Sequence, residues 1–368
     1  MIEAWGILAL GTIAGLVLLD YGVFIFKCRV RAQKAALSIP DVEPIQCPEL
    51  TVLIPCRDEA ANLPLLLVDL QNQSTPVRIL VIDDHSNDDT RVAAEAFGVE
   101  VIQSPGKGKK VALIAGHHRV KTPWMATVDA DTRLGPDWAR SMLRVAISKR
   151  ASAVLGLVRI NANKASGWER FQSQEFGAMM VWISGDVALG KLAMGSGANS
   201  LYSTQDYPHQ SLHEEIASGD DGFALCALKN EGKVIAWCPE SSAFVDTHPA
   251  NSWKQLWQQR ARWASKTQGQ DAQTRIVALR IAAIHVLLPI MAFGSVLTWQ
   301  LDWAILLGTF FILKSVLDGL LIRSAQRLQG VPVQMADYVL FSLRYGLMVW
   351  GAWWELFRGQ VQWKGRRI

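Results

Sequence analysis

The sequence predicts an α/β domain, a mainly parallel sheet with helices on both faces, held between transmembrane helices. Three observations predict it. Strand-like apolar runs alternate with helical patterns through the middle of the 368-residue chain, the arrangement of a parallel sheet covered on both faces. Long apolar segments flank that middle at both ends. Acidic clusters follow the apolar runs, which gathers them beyond the carboxyl ends of the strands, where ligands bind on such sheets.

Composition agrees. Half of the residues are hydrophobic and 19% are charged, against about 25% charged in ordinary soluble domains. The deficit is local, at the N-terminus and after Arg275. The net charge of +4 is mild, and much of the basic excess sits beside apolar segments. That pattern points to membrane topology and away from nucleic acid as a partner. The five cysteines, Cys28, Cys47, Cys56, Cys226 and Cys238, show no CxxC spacing and no even pairing. Reduced thiols in a cytoplasmic domain are the simplest expectation.

Taken in order, residues 5–26 are long enough to cross a hydrocarbon core of about 30 Å. Asp20 is their one charge. No basic region precedes them and no small-residue cleavage site follows, so a cleaved signal peptide is not expected. Lys27, Arg29, Arg31 and Lys34 come directly after. The positive-inside rule then puts the N-terminus outside and the next domain in the cytoplasm. Residues 1–27 are read as a transmembrane anchor of an integral membrane protein, in the cell inner membrane if the source is bacterial.

Residues 48–250 are read as the globular domain. Strand-like runs occur at 50–55, 77–82, 98–102 and 124–131, with helical patterns at 62–71 and 111–119. Arg57-Asp58-Glu59 follows the first run and Asp83-Asp84 the second. These two acids can accept hydrogen bonds from a base or from ribose hydroxyls. The plainer alternative is an Asx turn or helix N-cap, because capping residues fill 85–90. Gly106-Lys107-Gly108-Lys109-Lys110 is a basic glycine-rich turn whose amides and lysines can meet phosphate; a solvated basic loop is the alternative, and P-loop spacing is absent. Asp129-Ala130-Asp131 ends a strand with two carboxylates at i and i+2. Such a pair can hold a hard divalent cation, Mg²⁺ or Mn²⁺, which in turn binds a diphosphate. Taken alone, DxD is weak and also occurs in solvated turns. His248 is a candidate third ligand. Gly219-Asp220-Asp221 precedes a helix-like stretch, where an acid can deprotonate a hydroxyl or merely cap the helix.

Residues 251–270 are read as an amphipathic interface helix. Trp253, Trp257, Arg260 and Ala264 fall on one side, suited to the lipid interface, and Gln259, Arg262 and Trp263 on another, able to reach the site. A linker helix with no catalytic part is the alternative. Residues 271–368 hold three further candidate membrane segments, 276–298, 303–322 and 338–357, and a basic tail with Arg358, Lys364, Arg366 and Arg367. Three crossings would put that tail outside, where the positive-inside rule does not want it. One segment is therefore expected to be re-entrant or to lie along the interface.

Together, Ile54-Pro55-Cys56-Arg57-Asp58-Glu59, Asp83-Asp84, Asp129-Ala130-Asp131, Gly219-Asp220-Asp221 and Gln259-Arg260-Ala261-Arg262-Trp263 resemble, in this order, the family 2 glycosyltransferases of GT-A fold. The resemblance runs from about Leu50 to Trp263. It implies that Pro55, Arg57, Glu59, Asp83, Asp84, Lys109, Lys110, Asp129, Asp131, Gln259, Arg262 and Trp263 bind a nucleotide-sugar donor. Asp131, with Asp129, is then the metal-binding acid. Asp221, within its pair with Asp220, matches the general base. Gly197 and Asn199 resemble the family's GxN segment on the acceptor side, with Trp263. Asp58 stands where Asn is common, and Asp220 for the frequent Glu.

The function implied is inverting transfer of a sugar, from a UDP-sugar by expectation, to a lipid or glycan acceptor at the cytoplasmic membrane face. The tail Trp363-Lys364-Gly365-Arg366 loosely resembles ceramide-type glucosyltransferases, which favours a lipid. The rivals are a processive polysaccharide synthase of the same family and a catalytically silent scaffold that binds nucleotide sugar.

Overall fold

The computed structural model describes residues 2–37, 49–160, 166–191, 194–213, 216, 219–265, 272–332, 338–359, 362–363 and 366–367. Cys47, Lys364 and residues 266–270 of the expected interface helix lie outside the described residues.

A seven-stranded sheet forms the centre, in the order β3-β2-β1-β4-β8-β6-β9. Its strands are β1 Leu50–Cys56, β2 Arg78–Asp83, β3 Glu100–Gln103, β4 Trp124–Thr127, β6 Ala153–Gly156, β8 Ser200–Ser203 and β9 Ile235–Cys238. All neighbours pair in parallel except β8, which runs antiparallel to β4 and β6. The expected mainly parallel sheet is found, with one reversed strand. β1 is buried nearly throughout, which explains its unbroken apolar run: a parallel strand covered on both faces has no polar face to show. A second sheet of three strands, β5 Arg133–Leu134, β10 Val245–Thr247 and β7 Val158–Ile160, lies in the order β5-β10-β7.

Helices α2 Leu63–Gln71, α3 Thr90–Ala96, α4 Lys109–His117, α5 Trp138–Lys149 and α7 Asp220–Asn230 belong to this domain. Register fixes where its loops meet. Cys56 pairs with Asp83 and Leu53 with Thr127. The chain leaving β1, β2 and β4 therefore delivers Arg57, Asp84 and Asp129 to one edge.

Three helices are long and apolar enough to cross a membrane among the described residues: α1 over Trp5–Ala36, α9 Ala272–Thr298 and α10 Leu301–Gln329. The N-terminal segment and the first two of the three C-terminal segments are thus supported. The last, α11 Tyr338–Phe357, is not among the three. Helix α6, Gly167–Ala188, opens on a capping box at Ser166 and Glu169 and joins the two halves by packing on α1 and α10. Gly185 makes that contact close. A Cβ there would lie 3.2 Å from the Ala32 amide nitrogen and 3.3 Å from the Cys28 carbonyl. Arg31 seals the same crossing by donating to Asp186 at 2.7 Å.

Helix α8, Trp253–Ala264, is capped by Ser252. Its tryptophan face departs from expectation. Trp253 packs on Trp168 and Phe171, with ring centroids 4.8 and 5.9 Å away. Trp257 fills the space above Gly351 of α11. Arg260 is buried. The face expected to meet lipid meets protein instead, because α11 covers it.

Candidate active site

The loops after β1, β2 and β4 are tied together by hydrogen bonds. The Asp84 amide donates to the Cys56 carbonyl at 2.8 Å, and Arg57 Nη1 donates to the Asp84 and His85 carbonyls at 3.2 and 3.1 Å. Asp58 adopts a positive φ of 51°, and its carboxylate accepts the Asn87 amide at 2.7 Å. Asp84 Oδ2 accepts the Gly108 amide at 3.0 Å, which brings the start of α4 to the same edge. Burial pushes the Asp84 carboxyl above the ordinary range, against the lowering effect of the Gly108 amide and Arg57.

Lys109, the first residue of α4, is the central cation. Its Nζ lies 2.6 Å from Asp129 Oδ1 and 3.5 Å from Asp220 Oδ2. Burial alone would lower its pKa, but Asp129 and Asp220 outweigh burial and hold it above the ordinary lysine value. Lys109 is therefore charged and bridges the DxD turn to α7. That turn is closed by Thr132, whose hydroxyl donates to the Asp129 carbonyl at 2.7 Å.

Asp220 and Asp221 occupy the first turn of α7, after an N-cap at Gly219 with a φ of 92°. Neither acid is the N-cap residue, so the capping alternative does not describe them. Their charge sits at the positive end of the helix dipole. Asp221 Oδ2 accepts the Gly197 amide at 3.2 Å, and Thr127 Oγ1 holds the Gly197 carbonyl at 3.1 Å over the end of β4.

The opposite wall is α8. Arg260 donates to both Glu175 oxygens, with Nε at 2.9 Å, and to Gln259 Oε1 at 2.5 Å. Its guanidinium also stacks 4.2 Å from the Trp263 ring centre. One buried arginine thus orients two of the motif's other side chains. Burial lowers the Arg262 pKa, opposed by the charges of Asp129, Asp220 and Asp221, and all four side chains line the same cavity.

These groups line one cavity of about 950 Å³, near the upper end of the usual range for ligand sites, roughly 300–1,000 Å³. Pro55, Arg57, Glu59, Asp84, Lys109, Asp129, Asp131, Gly197, Asp220, Asp221, His248, Gln259, Arg262 and Trp263 are all on its wall. Three expected site residues are not. Asp83 is buried and accepts the Ser86 amide at 3.1 Å, the Asx-turn alternative. Lys110 is buried over the Phe223 ring and donates to the His213 carbonyl at 2.9 Å. Asn199 is fully buried, accepts from Trp138 Nε1 and donates to the Leu157 and Ala243 carbonyls; it clamps the second sheet to the first.

No group of three His, Cys, Asp or Glu side chains converges to hold a metal among the described residues. His248 therefore does not complete a set with Asp129 and Asp131. Two hard carboxylates still suit Mg²⁺ or Mn²⁺, which commonly takes one or two from protein and the rest from phosphate and water. Sequence reasoning missed part of the cavity's apolar lining, Phe176 and Met179 of α6 with Met194. Met194 also packs on the cluster of Cys28, Ala32, Val277 and Ala325 from the long helices. Those residues carry no motif and could not be told from core.

Residues 51–205 match the model of Glycosyl transferase family 2. An uncharacterised glycosyltransferase of Mycobacterium tuberculosis is 37% identical over 82 residues, 22% of this chain and 36% of that protein. The 4,4'-diaponeurosporenoate glycosyltransferase of Staphylococcus aureus is 35% identical over 88 residues, 22% of this chain and 24% of its own length. The chain thus spans about a third or less of these relatives. The mannosyltransferase of Pyrobaculum calidifontis, solved with GDP-mannose and Mn²⁺, superposes with a TM-score of 0.62 at 17% identity, covering 92% of this chain and 99% of that one. That likeness shows a shared fold.

Proposed function

We propose that this chain, whose residues 51–205 match the model of Glycosyl transferase family 2, is a glycosyltransferase of that family and a divalent-cation-dependent inverting enzyme. It moves a sugar from a nucleotide-sugar to a lipid acceptor at the cytoplasmic membrane face. The observation that carries the reading is the placement of Asp221. Its carboxylate lies at the start of α7, tied to Gly197, in the same cavity as Asp129, Asp131 and Arg262.

Asp84 and Arg57 would receive the nucleoside, in the cleft beyond β1 and β2. Asp131, with Asp129, would hold the cation. When bound, it neutralises the charge that builds on the leaving diphosphate. Lys109 and Arg262 add fixed positive charge around the same place, and preorganised charge of this kind supplies much of the rate enhancement in many enzymes. Asp221 takes the acceptor hydroxyl's proton as that oxygen attacks the anomeric carbon. A single displacement inverts the configuration there. Gln259 and Trp263, held by Arg260, would close the acceptor side.

The apolar lining at Phe176, Met179 and Met194 supports a lipid over a free glycan, since Met194 also packs on the cluster from the long helices. The donor expected is a UDP-sugar, and the relative solved with GDP-mannose makes GDP-sugars the second class to try. The test is purified protein in detergent with Mn²⁺, given a panel of nucleotide sugars with and without extracted membrane lipid. Release of nucleoside diphosphate that rises with lipid is expected. Donor binding without release from any sugar would replace the enzyme with a silent binder. Growth of a long polymer would replace single transfer with processive synthesis.

A further inference from the structure

Helix α11 presents two opposite faces. Phe341, Ser342, Met348, Val349 and Ala352 are buried against protein. Leu340, Leu343, Leu347, Trp350, Trp354 and Phe357 are exposed large apolar side chains. From Leu340 onward they alternate between spacings of three and four, which confines all six to an arc of about 100° on a helix. A water-facing arc would not be built this way.

The helix is not among the three that are long and apolar enough to cross a membrane among the described residues, and its contacts along α9 and α10 bear on how it sits. Arg344 turns inward and donates to the Gly167 carbonyl at 2.6 Å, at the start of α6. Both ends of α11 lie on the catalytic side. Tyr338 packs on α10 and donates to Gln326, close to that helix's C-terminus. After α11 the chain returns to α8 through β11, Gln362–Trp363, and α8 lines the cavity. Between these ends, Ser342 donates to Asp318 at 2.6 Å, Lys314 sits over the Tyr345 ring, and Trp350 Nε1 donates to the His285 carbonyl at 3.0 Å. Lys314 and His285 are each 13 residues from the far ends of α10 and α9. That is about 20 Å along an α-helix, still inside a hydrocarbon core of about 30 Å.

We infer that α11 lies in the plane of the catalytic-side leaflet, with the Leu343–Phe357 stripe buried among acyl chains and the other face carrying α8. The partner is the lipid itself. Helices α9 and α10 also expose large apolar side chains, among them Ile290, Phe293 and Ile312. The helix would fix the height and tilt of α8, and so of Gln259, Arg262 and Trp263, against the bilayer.

The test places single cysteines at Leu340, Leu347 and Phe357 in the full chain. All three are exposed, so little packing is lost. Each is labelled with bimane, reconstituted in phosphatidylcholine vesicles and quenched by lipids carrying a nitroxide near the headgroup or at the chain end; unsubstituted protein sets the background. An in-plane helix gives about twofold or greater preference for the shallow nitroxide at all three sites, since interfacial helices sink about 5–10 Å. A spanning helix of 20 residues would spread the three sites over about 25 Å and overturn the inference. Quenching by aqueous iodide with none from either lipid would also overturn it, leaving the stripe to water or to a second copy.

Discussion

Asp221 separates chemistry from architecture at the level of one side chain. Asn keeps its shape and most of its hydrogen bonding but accepts no proton at neutral pH. Asp221→Asn should bind donor normally and lose about 10²–10⁴-fold in turnover. Calorimetric donor affinity beside the rate decides it, and turnover near the wild-type rate would pass the role to Asp220. Asp131→Asn should act differently, weakening donor affinity through the cation. Chelation by EDTA should abolish transfer and added Mn²⁺ or Mg²⁺ restore it; full activity in chelator would remove the metal from the scheme. Motif spacing made these acids legible in the sequence, because their order along the chain is unusual. It could not tell which member of each pair faces the cavity. Asp84 and Asp83 are neighbours with identical chemistry, and only the turn at Ser86 sends one inward. The same holds for Lys109 and Lys110, which helix geometry points in different directions.

Helices α6 and α8 meet through Glu175 and Arg260, and their pairing can be tested apart from stability. Removing one partner leaves a buried charge, which costs about 3–5 kcal/mol. Glu175→Met should therefore lower the unfolding midpoint sharply. Adding Arg260→Met removes the orphaned charge and should recover most of the loss. If Arg260 only stabilises, the double variant regains turnover as well. If it orients Gln259 and Trp263, stability returns and kcat does not. A second contact to probe is Gly185, which faces the backbone of α1. Gly185→Val should destabilise by about 1–3 kcal/mol, the usual range for overpacking, read as thermal unfolding in detergent. Neither contact was visible in the sequence. Glu175 sits amid an ordinary helical pattern, and the tryptophan stripe of α8 looks the same whether it meets lipid or another helix.

Topology is the whole-molecule question. The basic cluster Lys27–Lys34 predicts a cytoplasmic catalytic domain, so protease added to intact cells should spare residues 48–250. Cleavage there without lysis would reverse the orientation. With a cytoplasmic catalytic domain, three crossings by α1, α9 and α10 would begin outside and end on the catalytic side, which would suit Arg358 and the basic tail. The sequence alone posed this conflict without resolving it, because α11 has the length of a span; its two faces become distinct only when α8 is packed against one of them.

The long helices also act as a ruler. Helix α10 has 29 residues, about 44 Å of axis, against a hydrocarbon core of about 30 Å. Standing upright with its Leu301 end at the core boundary, α10 would leave about 14 Å of rod clear of the acyl layer, and α6 packs at its other end through Gly177 and Gln329. The cleft would then sit at a set altitude. With the proposed lipid acceptor, the hydroxyl would have to reach that altitude from its anchored tail, so the distance between anchor and hydroxyl would become a selection criterion independent of the sugar. Lengthening the projecting part of each rod by one helical turn would raise the cleft by about 5 Å and shift preference toward acceptors with a longer polar stalk.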